Sequence, residues 1–360
     1  MHIKHPKLER PELEGLATRA ISLVGTPCSR IEEVVRTLSE QLGPQYRVIC
    51  VDADHNKKVQ DIETRQEERI MTFPPATGEQ WFQDKLVGQY FDVALVNGNH
   101  YPSPHQIVFL DSKKEDSLKR REDQLTDVLA YVSVDSQGFD WLEMNRDAPI
   151  YELDQVGQLG VEIDKWLRSS KPDLRALILA GGESQRMGKD KSKLEYHGQP
   201  QEVFLAKICE SLGLTVSISK RNAKVEDIAG FPVIEDSFLG LGPYGAILSA
   251  FKEYRRDAIL VLACDLPFID KRTIERLIAE RSTSKFMTAL KAKGKSFAEP
   301  LAAIFEPRMY PRMLHALGVG YNCPTKLLRN TDIKSVEVED KLVSNVNTQE
   351  EYREAKEELS

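Results

Sequence analysis

Short runs of consecutive apolar residues alternate along this chain with stretches whose apolar positions recur every three or four residues. In the first half the runs Ala20–Val24, Arg47–Val51, Phe91–Val96, Gln106–Leu110 and Ala130–Val134 predict strands. Between the first two, Ile31, Val34, Val35, Leu38 and Leu42 predict a helix over residues 30–42. The second half repeats the style. Strands are predicted over Ala176–Ala180, Thr215–Ser219, Ala258–Cys264, Phe286–Leu290 and Leu301–Phe305, and helices over Val203–Leu212, Gly245–Tyr254, Arg272–Ala279 and Gln349–Leu359. Strands alternating with helices imply mainly parallel sheets covered on both faces, an α/β architecture with two doubly wound domains.

The boundary lies near residue 170. A helical pattern from Val156 to Trp166 gives way to Arg168-Ser169-Ser170-Lys171-Pro172-Asp173, residues that bury little apolar surface, before the next apolar run. The expected domains are 1–168 and 174–360. A length of 360 residues suits two domains. The charge-dense stretch from Lys113 to Asp123 reads as a solvated loop or helix face.

Composition narrows the class. The chain is 41% hydrophobic and 29% charged, ordinary for a globular protein, and its net charge of −7 gives no basic field for nucleic acid. No apolar run approaches the roughly 18 residues of a membrane span, and the polar start offers no signal-peptide core. Five scattered cysteines without a CxxC pair argue against a disulfide scaffold or zinc knuckle and fit a reducing compartment. The expectation is a cytoplasmic protein without nucleic-acid or membrane partners.

The densest chemical signal is residues 177–191, LILAGGESQRMGKDK. An apolar strand feeds Gly181 and Gly182, and Arg186, Lys189, Lys191 and Lys193 follow closely. Glycines let the backbone approach a phosphate chain, and nearby cations neutralise it. A basic surface loop is the plain alternative. A second signal is Ala258–Cys264 ending in Asp265: ligands of open parallel sheets lie beyond the carboxyl ends of strands, and hard carboxylate oxygens suit Mg²⁺. The competing reading makes Asp265 or Asp270 a cap for the helix beginning near Lys271.

Other segments contribute singly. Phe231-Pro-Val-Ile-Glu-Asp236-Ser precedes Gly240-Leu-Gly-Pro-Tyr-Gly245, which reads as a turn opening a helix. Asn345 and Asn347 flank Val346 and share a face if extended, while Thr348 caps the helix from Gln349 in the alternative reading. His197, in a turn-like Tyr-His-Gly-Gln-Pro, reads as exposed and non-catalytic.

LAGGESQRMGKDK resembles the signature of the molybdopterin guanylyltransferases, which complete the molybdenum cofactor. The resemblance implies a Rossmann-like nucleotidyltransferase fold for the C-terminal domain, with Mg²⁺ as cofactor and GTP and the molybdopterin cofactor as substrates. Molybdoenzymes or cofactor-delivery proteins are the further partners it implies. It also implies that Leu179, Ala180, Gly181 and Gly182 hug the nucleotide, that Arg186 and Lys191 neutralise the phosphates, and that Asp265 holds the metal. Asp236 matches an aspartate that helps hold guanine; Glu299, Asn345 and Asn347 match the acceptor side. The family usually reads Gly-Pro-Leu-x-Gly where this chain has Gly-Pro-Tyr-Gly-Ala, and the base-contacting asparagine expected after Thr215–Ser219 has only Asn222 as candidate. The implied reaction is GMP transfer from GTP with release of pyrophosphate. The alternatives are a cytidylyl- or other nucleotidyltransferase acting on a different phosphate acceptor, and a non-catalytic cofactor carrier.

Residues 20–168 resemble, by arrangement of their runs, the molybdopterin-associated P-loop adaptor protein. Here Gly25-Thr-Pro-Cys-Ser-Arg30 lacks the second glycine, the lysine and the hydroxyl of a P-loop, Glu32 and Glu33 open the helix, and Asn97 stands where the family has an acid. The expectation is a domain that no longer binds a nucleoside triphosphate and serves as scaffold, docking or dimerisation module.

Overall fold

The computed structural model describes residues 19–53, 70–73, 88, 90–180, 191–221 and 226–359. The chain divides into two compact units, one ending at Ser170 and the other beginning at Lys171.

The first unit is built on an all-parallel sheet. From one edge to the other run β3 (Ile70–Phe73), β2 (Val48–Ala53), β4 (Val93–Asn97), β1 (Arg19–Val24), β5 (His105–Leu110), β6 (Val128–Ser133) and β7 (Ile150–Glu152). The central strands are buried on both faces, as their unbroken apolar runs require. Helix α1 (Cys28–Leu42) buries Ile31, Val34, Leu38 and Leu42 against it, while Glu32 and Glu33 face solvent. The charge-dense stretch forms short helical turns, including α2 (Glu115–Lys119), which buries only Leu118. α3 (Leu159–Ser169) closes the unit. The strands β3 and β7 were not expected. β7 alternates exposed and half-buried positions and carries too little apolar signal.

The second unit has a mixed sheet. Its order is β10 (Asp227–Ile228), β11 (Phe231–Glu235), β9 (Thr215–Lys220), β8 (Leu174–Leu179), β12 (Ala258–Ala263), β14 (Ala302–Phe305), β13 (Met287–Ala292) and β15 (Ile333–Val338). β11, β9, β8 and β12 run parallel, but β14 is antiparallel to both neighbours, which departs from a purely parallel doubly wound sheet. Apolar runs encode burial on both faces, not strand direction.

Two cores flank this sheet. α4 (Gln201–Ser211) and α6 (Lys271–Ala279) cover one face; α5 (Pro243–Glu253) and α7 (Met309–Gly318) cover the other, beside α8 (Pro324–Arg329). α9 (Gln349–Leu359) packs Ala355 and Tyr352 on Leu194, Tyr196 and Val346. Among the described residues no helix is long and apolar enough to cross a membrane.

Candidate functional site

The site is built at the carboxyl ends of the parallel strands, where a crossover sheet leaves its crevice. In register, Leu179 of β8 lies beside Ala263 of β12 on one side and Ser219 of β9 on the other. Each strand therefore delivers its next residues to one place. A cleft of about 330 Å³ opens there, lined by Leu179, Ala180, Ser219, Asp236, Asp265 and Gly242 among others.

Four of the nucleotide-side candidates thus share one cleft: Leu179, Ala180, Asp236 and Asp265. Gly181, Gly182 and Arg186 lie outside the described residues, as does Asn222. Lys191 opens a short 3-10 turn over Lys191–Lys193, and the adjacent Ser192 lines the cleft. The two flanks of the glycine-rich segment therefore meet Asp265 in the same crevice.

The cap question around Asp265 resolves by geometry. Asp270, not Asp265, caps α6: its Oδ1 accepts from the Thr273 backbone N–H at 2.8 Å and from the Thr273 hydroxyl at 2.6 Å. Asp265 follows β12 and faces the cleft. Its backbone carbonyl accepts from the N–H of Val346 at 2.8 Å.

That bond fixes the acceptor-side candidates. Val346 is buried while Asn345 and Asn347 are exposed, so the two amides share the face opposite the core. Thr348 also caps α9, with Glu351 completing a reciprocal box. The Thr348 hydroxyl accepts from the Glu351 N–H at 3.2 Å, and Glu351 Oε2 accepts from the Asn347 and Thr348 N–H groups. The cap is therefore formed, and it leaves Asn345 and Asn347 exposed on one face. Glu299 sits near Asp265; burial first, and then the negative charge of Asp265, push its carboxyl above the ordinary range, against a lowering bond from the Leu301 N–H at 3.0 Å. Glu299, Asn345 and Asn347 border Asp265 rather than line the 330 Å³ cleft.

Asp236 stands next to Arg221, because Glu235 pairs with Lys220 across β11 and β9. Burial raises its carboxyl, while the Ser219 hydroxyl donating at 2.9 Å and the Arg221 charge pull it back. The adjoining loop explains the tyrosine in the glycine-proline segment. Tyr244 is fully buried and donates its hydroxyl to the Met313 carbonyl at 2.7 Å, so it serves the core and leaves Gly240, Gly242 and Pro243 to line the cleft. Gly242 opens α5 at φ +56°, in the left-handed region. Gly245 packs so tightly that a Cβ would fall 2.1 Å from the Phe238 carbonyl oxygen. His197 is half-buried rather than exposed, stacked on Phe204 with ring centroids 3.7 Å apart.

Sequence reasoning missed Ser219, Arg221 and Ser192, which line the cleft, and Lys220, whose ammonium bonds to the cleft residues Ala180 and Ser192. Register with β8 brings Ser219 and the residues after it to the cleft, and Ser192 arrives on the short turn after the glycine-rich segment; neither pairing is written in the local sequence. Asp265 supplies hard oxygens and, among the described residues, no cluster of three or more His, Cys, Asp or Glu could hold a metal. A single carboxylate fits Mg²⁺, which keeps waters and substrate phosphates in its shell, better than it fits an all-protein cage.

In the first unit, side chains following β1 and β5 meet beyond the ends of those strands. Asp111 accepts from the Arg30 guanidinium at 2.7 Å and from the Thr26 hydroxyl at 2.8 Å, and its carboxylate is only 1% exposed. Asn97 donates to Asp52 at 2.8 Å.

Comparisons with known proteins bear on the second unit. A family model described as MobA-like NTP transferase domain matches residues 176–334. A molybdenum cofactor biosynthesis bifunctional protein of Synechocystis sp. is 31% identical over 51% of this chain, which spans about half (54%) of that protein. A molybdenum cofactor guanylyltransferase of Pseudomonas fluorescens is 29% identical over 50% of this chain and 92% of its own length. One from Shewanella piezotolerans is 30% identical over 40% of this chain and 72% of its own length. Among solved structures, molybdopterin-guanine dinucleotide biosynthesis protein A of Archaeoglobus fulgidus is 19% identical, with a TM-score of 0.44 over 51% of this chain and 97% of that one. Through its second unit, this chain belongs to the family of molybdenum cofactor guanylyltransferases.

Proposed function

We propose that the second unit transfers GMP from GTP to the terminal phosphate of the molybdopterin cofactor, releasing pyrophosphate. The observation that carries this reading is the convergence of Ala180, Ser192, Asp236 and Asp265 on one cleft at the carboxyl edge of the sheet. An oxygen of the acceptor phosphate forms a bond to the α-phosphorus of GTP as the α–β bridging bond breaks, and the departing pair leaves on pyrophosphate. The attacking phosphate is ionised at neutral pH, so this chain needs no general base. Its work is placement and charge neutralisation.

Asp236 is the acceptor for the ring N1–H and the exocyclic amino group of guanine, its carboxylate braced by Ser219. Arg186 and Lys191 neutralise the phosphates. Asp265 holds Mg²⁺, which when bound screens charge on the triphosphate. Glu299, Asn345 and Asn347 meet the acceptor. The first unit acts as an adaptor-like module that binds no nucleoside triphosphate, because its loop lacks the lysine and hydroxyl of a P-loop and its nearby cation, Arg30, is already paired with the buried Asp111 carboxylate.

The test is pyrophosphate release by the purified full chain with molybdopterin and each of the four nucleoside triphosphates. Release with GTP alone supports the reading. Preference for CTP, or stoichiometric pterin binding without any release, replaces it with cytidylyl transfer or a carrier role.

A further inference from the structure

Lys220 ends β9, and its ammonium makes short contacts with three described residues. Nζ donates to the Ala180 carbonyl at 3.0 Å, to the Ser192 hydroxyl at 2.9 Å and to Glu202 Oε2 at 2.6 Å. The side chains of the Lys220–Glu202 pair are 15% and 4% exposed. Ala180 is the last described residue before the glycine-rich segment and Ser192 one of the first after it, and both line the cleft. Glu202 belongs to the first turn of α4, a rigid element packed in the core. One ammonium thus ties a strand end, a turn and a helix at a single point.

Each of the three N–H donors has a protein acceptor, so this lysine is not itself disposed to grip a phosphate. The arrangement is costly without a purpose. Taking an ammonium and a carboxylate out of water carries a large desolvation penalty, offset only when geometry is good and every donor is matched. An apolar pair of the same volume would stabilise the fold at least as well. What an apolar pair cannot do is hold the Ala180 carbonyl and the Ser192 hydroxyl at a fixed separation.

We propose that Lys220, braced by Glu202, is a positioning residue for nucleotide binding: it sets the spacing of the two cleft residues that flank the glycine-rich segment. The proposal rests on the GTP reading of the cleft. Its cost when lost falls on GTP and not on the acceptor, because Glu299, Asn345 and Asn347 are placed by other elements, β13 and the Val346–Asp265 bond.

The test uses the purified full chain, steady-state kinetics for both substrates and thermal melting. Lys220→Met leaves Glu202 buried without its cation and is expected to lower the melting temperature and raise the KM for GTP. The double variant Lys220→Met with Glu202→Leu removes both charges. Its melting temperature is expected to recover, while its KM for GTP stays raised by about tenfold, because the Ala180 carbonyl and the Ser192 hydroxyl are no longer held at one spacing. The KM for molybdopterin is expected to stay within roughly twofold of the parent. Lys220→Arg keeps the charge facing Glu202 but replaces a tetrahedral donor with a planar fork, so it is expected to melt like the parent and still raise the GTP KM. A parental GTP KM in both the double variant and Lys220→Arg overturns the positioning role. Absence of GTP-dependent pyrophosphate release in the parent itself defeats the GTP reading instead, so the two failures are separable.

Discussion

The backbone carbonyl of Asp265 accepts a hydrogen bond from the backbone N–H of Val346 at 2.8 Å, joining residues 81 positions apart. The end of a fully buried strand is thereby stitched to the segment that carries Asn345 and Asn347. Because both partners are main-chain atoms, the stitch survives truncation of the Asp265 side chain.

Asp265→Ala is therefore expected to abolish turnover while leaving the fold intact. On the proposed role of Asp265, its loss is expected to cost at least about 3 kcal/mol at the transition state, more than a hundredfold in rate. Lys191→Ala is expected to behave in the same way. Circular dichroism and single-turnover assays on both variants check this, and near-parental turnover in either removes that residue from the machinery.

Glu299 yields a pH-dependent prediction. Burial and the charge of Asp265 raise its carboxyl, so the folded chain binds that proton more tightly than the unfolded chain does. The stability it contributes is complete below the ordinary glutamate value of about 4.3 and is lost as pH rises through the raised folded value. Glu299→Gln is uncharged throughout and keeps the acceptor for the Leu301 N–H. Without ligands it is expected to melt higher than the parent at pH 7, by roughly 2–4 °C for each kcal/mol gained. Near pH 4 the two should coincide. Melting curves across that range decide it.

Tyr196 is buried beside Tyr352, ring centroids 5.0 Å apart, and its hydroxyl finds no hydrogen-bond partner among the described residues. An unsatisfied buried hydroxyl costs about 1–3 kcal/mol. Tyr196→Phe keeps the ring packing and removes the hydroxyl, so it is expected to be more stable by roughly 1 kcal/mol in denaturant titration. A loss of stability instead would mean that the hydroxyl has a partner.

In the first unit, Arg30→Met leaves the buried Asp111 without its cation. The expected loss is about 1–3 kcal/mol in that unit's stability, because the carboxylate keeps the Thr26 hydroxyl but loses its ion pair. GTP turnover is expected to remain at the parental value. A fall in turnover with the unit still folded would give Arg30 a role beyond packing.

The parts of the molecule legible in the sequence are those whose physics is local. Ala258–Cys264 announces a strand buried on both faces, and the position of Asp265 just past its end places it at the carboxyl edge. The three- and four-residue spacing from Ile31 to Leu42 announces a one-sided helix. What was not legible depends on pairing between distant segments. Nothing in Leu301–Phe305 tells that β14 runs against its neighbours. The apolar side of β15 is carried mainly by Val336 and Val338 amid charged positions, which hides it as a strand. Tyr244 departs from the family's Gly-Pro-Leu-x-Gly for a reason local sequence does not carry: its hydroxyl donates to the Met313 carbonyl, 69 residues away. Lys220 and Glu202 are ordinary charged residues in sequence; only the packing of α4 beside β9 makes them a buried pair.

The most direct measurement incubates the purified full chain with GTP, Mg²⁺ and molybdopterin and follows both products by mass spectrometry. The account predicts the guanine dinucleotide form of the pterin and pyrophosphate in equal amounts, both absent with Asp265→Ala. Pterin recovered unchanged while GTP remains intact, with the protein folded and both substrates bound, would contradict it.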